Sequence, residues 1–327
     1  MIRLLNNNQP FLVLLLLAYA VLFNLVLFTD PSFTVPETDF PFSKWLFEHL
    51  NISYNAITAI SIALVFIQAL MITQILNDIK FFNKSTYVPG VIYIVMASMF
   101  REFLFLSPVL IANTFIILTF GRLFSMYRQH SAFKEVYDTG LLIGISTLIY
   151  FPSVVLFIAM LIALGLLRSF IWREWLVGFF GLITPYYLAF VGLFLSGGLK
   201  KFIDYQFGSV LYGFNSGIEF SLPVQILGGI MVMLFIGSFF VFQNNYLKSP
   251  IQVRKYLVLT AWMLILLSVS FLFKYTMSLN HFLIITVPLS LVISYFILNV
   301  KRWYVAEVVH AMLMITVLVF QHFPIKK

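Results

Sequence analysis

The sequence contains no cysteine and few charged residues. The lack of cysteine excludes disulfides, thiolate catalysis and cysteine-ligated metals. Charged residues make up 10% of the 327-residue chain, against about 25% in soluble globular domains, and hydrophobic residues make up 61% against roughly 45–50%. We therefore predict an integral membrane protein that forms a single domain over residues 1–327, with almost no soluble part.

Motifs of soluble enzymes are also missing. The chain has no glycine-rich phosphate loop, no His-Glu-x-x-His pattern and no Gly-x-Ser-x-Gly elbow. Its five histidines are scattered, so neither a metal nor an organic cofactor is expected. His310 follows Glu307 by three residues on one predicted helix face. This spacing suits either a proton relay or a structural hydrogen-bonded pair.

The uncharged run 139–167 sets the predicted topology. It is longer than the ~20 residues that cross a bilayer, and Pro152 divides it, because proline removes a backbone donor and disfavours helix in the residue before it. The sequence thus predicts a helical hairpin of arms 140–150 and 153–167. Charged segments precede and follow this hairpin, so both of its ends are expected in the cytosol.

The whole chain is predicted to be an all-α, polytopic bundle of about eleven spans with a cytosolic N-terminus. Thirteen Lys and Arg residues then lie in cytosolic segments and seven on the other side. The net charge of +8 therefore follows the positive-inside pattern and does not indicate a nucleic-acid partner. The predicted spans are 10–28, 54–76, 88–100, 106–120, 140–150, 153–167, 176–196, 224–242, 257–273, 281–300 and about 301–323.

Two external loops are predicted between these spans. Loop 29–53 is acidic, and its second half, 42–50, has apolar residues at helical spacing, typical of a helix lying in the membrane interface. Loop 197–223 is rich in tyrosine and phenylalanine and is expected to fold back onto the interface. Both loops face the compartment opposite the cytosol.

Candidate functional residues lie on this external side. Asp30 and Asp39 are candidate general bases toward a sugar or amine acceptor at the membrane surface. Basic residues that can bind a lipid-linked phosphate are Arg101, Lys200, Lys201 and Lys274. Alternatively, the loop acids are simply solvated. Arg101 and Glu102 share a tight turn between apolar segments, which favours mutual pairing or ligand binding.

Small and amide residues within the spans suggest packing. Gly140 and Gly144 form a small-x-x-x-small face that permits close helix approach. Asn24, Gln68 and Asn113 are expected to form hydrogen bonds between helices.

Several segments between residues 106 and 188 resemble an uncharacterised family of integral membrane proteins from Bacteroidota. The matching text is Leu-Ser-Pro-Val-Leu-Ile-Ala-Asn113, Arg122-Leu-Phe-Ser-Met-Tyr, Asp138-Thr-Gly-Leu-Leu-Ile-Gly144 through Tyr150-Phe-Pro152-Ser, and Trp172-Arg-Glu-Trp175-Leu. The resemblance implies the bacterial inner membrane but no reaction.

The general organisation of the chain also resembles that of the GT-C superfamily of membrane glycosyltransferases, which use polyprenyl-phosphate sugars. Shared features are the acidic first external loop with its juxtamembrane helix, a Gly-x-x-x-Gly hairpin broken by proline, and about eleven spans. The resemblance implies a catalytic acid at Asp30, although Pro31 stands where the adjacent second acid is usual.

The sequence leaves two functions open, and they belong to different classes of protein. One is a GT-C-like transferase that acts on a polyprenyl-phosphate-linked sugar at the outer face of the membrane. The other is a non-catalytic subunit or scaffold of an envelope-assembly or secretion complex, with a membrane-protein partner.

Overall fold

The computed structural model describes residues 11–29, 54–129, 131–200, 249–270, 279–300 and 302–322, together with 5, 9, 202, 203, 229, 236 and 243. The elements in these ranges are all helical. Ten longer helices follow one another along the chain: α1 Phe11–Asn24, α2 Tyr54–Asp78, α3 Val88–Ala97, α4 Pro108–Ser125, α5 Phe133–Ile149, α6 Val155–Leu167, α7 Trp172–Leu195, α8 Ile251–Val269, α9 Thr286–Asn299 and α10 Trp303–His322.

Five segments among the described residues are long and apolar enough to cross a membrane, which is compatible with a membrane protein. They are Asn55–Asp78, Pro108–Ser125, Trp172–Leu195, Ile251–Val269 and Leu279–Asn299. Shorter apolar helices occur in 11–24, 88–97, 151–167 and 303–319. The total of eleven spans stays a prediction, and the predicted span 224–242 lies largely outside the described residues.

The predicted hairpin consists of α5 and α6, separated by the 3₁₀ turn Phe151–Val154. Tyr150 ends α5 in an extended conformation immediately before this turn. Helix α5 begins at Phe133, seven residues before the predicted arm, and its first turns carry Lys134, Glu135 and Asp138. Charged side chains remain solvated at a helix end that projects beyond the apolar region, so they do not mark where the helix stops.

Side-chain contacts define two ends of the bundle. One end, where α4 and α6 finish and α8 begins, is called the basic end. There Lys255 of α8 donates from Nζ to the Leu166 carbonyl of α6 (2.6 Å). There the Tyr256 hydroxyl donates to the Phe124 carbonyl of α4 (2.7 Å). At the opposite end, Gln321 of α10 donates from Nε2 to the carbonyls of Phe23 (2.9 Å) and Ser98 (2.8 Å). Helix ends are thus joined by side chains from other helices.

Helix α3 forms the centre of the bundle. Every one of its residues is buried, and it contacts α1, α2, α9 and α10. A helix that is apolar all round is expected in such a position. The backbone of α2 lies against Gly90, where an added Cβ would meet the Ala69 carbonyl at 2.8 Å. Close packing around α3 therefore depends on a residue without a side chain.

A second close approach joins α5 to α7. A Cβ added at Gly140 would lie 2.3 Å from the Gly178 carbonyl, and one at Gly181 would lie 2.4 Å from the Tyr137 carbonyl. Gly144 faces Leu182 and Pro185 in the same way. The small-residue face expected at Gly140 and Gly144 is therefore a helix-packing surface.

Substitution of Gly181 by alanine should destabilise the protein, because the new Cβ would contact the α5 backbone at a distance that real side chains do not tolerate. We expect a loss of roughly 1–3 kcal/mol, typical of overpacking. The control is Gly192→Ala on the same helix, where nothing lies within 4 Å of an added Cβ. Thermal unfolding in detergent should separate the two variants. Equal melting temperatures would contradict the proposed contact.

The C-terminus of α2 has a Schellman motif with lysine in the position usually taken by glycine. Phe81 N donates to the Leu76 carbonyl (2.9 Å) and Lys80 N donates to the Asn77 carbonyl (3.1 Å). Lys80 has a φ of 52°, in the left-handed region. Helix α7 ends with the same pattern, but with Gly197 at φ 72°. A Cβ-bearing residue is disfavoured at this position.

Substitution of Lys80 by glycine should raise the thermal stability, because glycine adopts this backbone conformation without the penalty of about 1 kcal/mol. A suitable control is Lys84→Gly, which removes an exposed lysine nearby whose φ is not positive. We expect the melting temperature to rise for the first variant and not for the second. A fall for Lys80→Gly would show that the lysine side chain contributes more than the backbone strain costs.

Candidate functional site

The structure describes three of the seven residues that the sequence nominates for function: Arg101, Glu102 and Lys200. Asp30, Asp39, Lys201 and Lys274 lie outside the described residues. Their predicted roles as bases and phosphate ligands stay predictions.

Arg101 and Glu102 open a 3₁₀ turn, Arg101–Leu104, between α3 and α4. Both side chains are half-buried, whereas Phe103 and Leu104 are buried. The turn contacts a second 3₁₀ segment, Leu279–Ile285, which precedes α9. Two segments that are remote in the sequence therefore meet at the opposite end of the bundle.

The segment Leu279–Ile285 carries His281, which is 1% exposed and uses both ring nitrogens. Nδ1 lies against the Tyr150 hydroxyl, and Nε2 lies 3.1 Å from Ser270 Oγ. Ser270 Oγ also lies 2.6 Å from the Leu267 carbonyl, to which it donates. The single Ser270 proton is thus used, so Nε2 of a neutral imidazole must donate to Oγ and Nδ1 must accept from Tyr150. The result is a directional chain of hydrogen bonds, which we call the Tyr150–His281–Ser270 chain.

Local sequence explains why these three residues meet. Tyr150 ends α5 in an extended conformation before the 3₁₀ turn that carries Pro152, and proline has no N–H with which to continue the α5 hydrogen bonds. Ser270 caps the C-terminus of α8. His281 lies in the 3₁₀ segment that leads into α9. Each residue therefore occupies a helix boundary at the same end of the bundle, where backbone and side-chain polar groups are available to pair.

Further polar groups lie close to this chain. Asn113 of α4 donates from Nδ2 to the Leu283 carbonyl (3.0 Å), which holds the His281 segment against α4. Asn280, next to His281, is buried, and its Oδ1 has no hydrogen-bond partner among the described residues. Buried polar atoms are normally paired, so the Asn280 oxygen is available to a water molecule or a ligand donor.

Two amides predicted to connect helices do so. Gln68 of α2 donates to the Leu110 carbonyl (2.7 Å) and to Thr114 Oγ1 (2.8 Å) of α4, and it accepts from the Tyr93 hydroxyl of α3 (2.6 Å). The second of these amides is Asn113 of α4, through its hydrogen bond to the Leu283 carbonyl. Asn24, in contrast, donates within its own helix to the Ala20 carbonyl (2.7 Å), so the interhelical role expected for its amide donor is not observed.

Other predicted polar residues lie apart from the Tyr150–His281–Ser270 chain. Lys200 is exposed just after α7, and no hydrogen bond or ion pair in the described part of the chain joins it to Arg101 or His281. His310 is buried between α10 and α1, where its Nε2 lies 3.4 Å from the Tyr19 hydroxyl. Across the described ranges, no group of three His, Asp or Glu side chains is arranged to hold a metal ion.

Sequence reasoning missed Tyr150, His281 and Ser270 as a group. The available signal was topological, because the predicted hairpin turn and the start of the span 281–300 lie on the same side of the bundle. Each residue alone is an ordinary polar residue at the end of an apolar segment. Only the packing of α5, α8 and the His281 segment identifies them as neighbours.

Substitution of Tyr150 by phenylalanine should destabilise the protein by about 1–3 kcal/mol, because it removes the donor to Nδ1 and leaves a buried acceptor unpaired. Tyr187→Phe is the matched control, since Tyr187 is 63% exposed. Thermal unfolding in detergent measures both changes. A Tyr150→Phe protein as stable as the Tyr187→Phe protein would show that the hydrogen-bond chain does not hold this end together.

Residues 41–327 match the family DUF6427, described as a family of unknown function, and the chain therefore belongs to it. No curated protein matches the chain. No solved structure matches it either.

Proposed function

We propose that this protein binds a polyprenyl-phosphate-linked sugar at the end of the bundle that carries Arg101 and His281, as GT-C glycosyltransferases bind their donors. Because its family carries no assigned activity, the proposal depends on the chemistry of this end of the molecule. It includes an N-terminus in the cytosol and a site at the outer face of the bacterial inner membrane.

One observation carries the proposal. The contact between the turn Arg101–Leu104 and the segment Leu279–Ile285 brings a half-buried arginine next to the segment that holds the Tyr150–His281–Ser270 chain. A guanidinium can bind two phosphate oxygens at once, which suits it to a pyrophosphate or phosphodiester group. Glu102, beside it, orients the guanidinium or accepts from a sugar hydroxyl.

The proposed reaction assigns further roles to the residues that the sequence predicts on the external side. Asp30 or Asp39 accepts the proton of the acceptor hydroxyl as its oxygen forms a bond to the sugar anomeric carbon. The bond between that carbon and the phosphate oxygen breaks, and the lipid phosphate leaves with the electron pair. Arg101, with Lys200, Lys201 and Lys274, stabilises the negative charge on the departing phosphate.

The distribution of charge supports the proposed orientation. Arg128, Arg168, Lys255 and Arg302 belong to the basic end, and basic residues favour the cytosolic side of a membrane. Arg101 and His281 then face outward, where a lipid-linked sugar is available to an enzyme without a large soluble domain.

Substitution of Arg101 by glutamine should weaken the binding of a polyprenyl phosphate by about 10- to 100-fold, because a hydrogen bond to a charged group contributes roughly 1.5–3 kcal/mol. Binding is measured by native mass spectrometry of the full chain in detergent, with polyprenyl phosphate as the probe. The unphosphorylated polyprenol serves as the reference ligand and should bind more weakly to the wild type.

Arg302→Gln is the matched control, because it removes an exposed arginine from the basic end. Its binding should equal that of the wild type. Equal binding of the phosphate and the alcohol, or equal losses in the two variants, would contradict the proposal. A stoichiometric protein partner with no lipid phosphate bound would favour the scaffold function instead.

A further inference from the structure

The turn that follows α4 at the basic end is fixed by a buried ion pair. Arg168 donates from Nε and Nη2 to the two carboxylate oxygens of Glu174, at 2.9 and 2.7 Å. Its remaining amino group, Nη1, donates to the Gln129 carbonyl (2.7 Å). The side chains of Arg168 and Glu174 are 5% and 1% exposed. Because a paired, bidentate arginine is held in one orientation, the turn 126–129 is anchored to α6 and α7.

Within this anchored turn, Arg128 is exposed and has a φ of 58°. Glycine and asparagine are the usual residues in the left-handed region, because a Cβ is disfavoured there. An arginine at such a position is uncommon, so the left-handed conformation is a cost that a glycine would avoid.

Two cations share one aromatic ring beside this turn. Arg128 Cζ lies 5.3 Å from the centroid of the Tyr127 ring, and Lys255 Nζ lies 5.7 Å from the same centroid. The Tyr127 ring makes an edge contact with Tyr256 of α8, with centroids 6.0 Å apart at 74°. Lys255 is held by its hydrogen bond to Leu166. The position of the Lys255 charge is therefore set by the surrounding helices.

Two carboxylates at this end are already engaged by other cations. Glu174 pairs with Arg168, and the Asp138 carboxylate lies 3.6 Å from the Arg122 guanidinium. In the parts of the chain that the structure describes, no ion pair involves Arg128 or Lys255. Two like charges close to one ring raise the local positive potential, which a bound anion would lower.

We propose that Arg128, Lys255 and Tyr127 bind the phosphate of an anionic membrane lipid. Arginine can bind two phosphate oxygens, and the lysine adds a second positive charge. Exposed apolar residues at the same end indicate a lipid source: Trp172 and Ile251, at the starts of α7 and α8, are each 58% exposed. Tryptophan and tyrosine at helix ends are typical of the head-group level of a bilayer. This site lies at the end remote from Arg101 and does not depend on the proposed transferase.

Binding of phosphatidylglycerol to the full chain in an uncharged detergent, measured by native mass spectrometry, tests the proposal. Arg128→Gly should weaken binding roughly fivefold, since one basic residue near an anionic lipid surface contributes about 1 kcal/mol. The same variant should melt at the same or a higher temperature without lipid, because glycine relieves the left-handed strain. A merely structural role for Arg128 cannot produce both results.

Two controls separate the site from general surface charge. Arg122→Gln removes an exposed cation that is paired with Asp138, and Lys80→Gly makes the same backbone change at another turn of the same end. Both should bind phosphatidylglycerol within twofold of the wild type.

Four outcomes would overturn the proposal. One is an unchanged affinity in Arg128→Gly, and another is an equal loss in either control, which would indicate diffuse attraction. The third is binding of phosphatidylcholine as tight as that of phosphatidylglycerol, and the fourth is displacement of the lipid by inorganic phosphate. Displacement would assign the cations to a free anion.

Discussion

Carbonyl groups at helix ends are the constraint on which this structure depends. The last carbonyls of a helix have no partner within the helix, and where they are buried inside the bundle no bulk water can replace it. In this protein other helices supply the donors, for example Tyr256 for α4, Lys255 for α6 and Gln321 for α1 and α3. Several polar residues of this otherwise apolar bundle therefore lie where described helices end.

The same constraint explains why the two ends of the bundle differ in chemistry. At the basic end the donors include cations, among them Arg168 and Lys255, which suit the partial negative charge of helix C-termini. At the opposite end the donors are neutral: Gln321, Asn113 and the Tyr150–His281–Ser270 chain. The opposite end thus combines buried neutral hydrogen bonds with the charged turn at Arg101, whereas the basic end combines exposed cations with aromatic rings.

Helix positions could be predicted from composition, whereas contacts between helices could not. Segments such as Tyr54–Asp78 and Trp172–Leu195 lie close to the predicted spans, because a long apolar run between charged loops has few alternatives to a helix. The meeting of Tyr150 with His281 was not predictable, since apolar helices carry no clear face that selects a neighbour. The glycine face at Gly140 was predicted, because small residues allow close approach whatever the partner. The acidic loop with Asp30 and Asp39 lies outside the described residues.

The double hydrogen bond of Gln321 has a consequence for how the chain assembles. Its acceptors, Phe23 and Ser98, precede it by 298 and 223 residues. A ribosome therefore delivers the first and third helices long before it delivers the amide that satisfies their final carbonyls. During synthesis those carbonyls must be met by water, lipid head groups or an insertion factor, and α10 must displace that temporary partner. Completion of this end of the molecule is thus delayed until α10 has been synthesised.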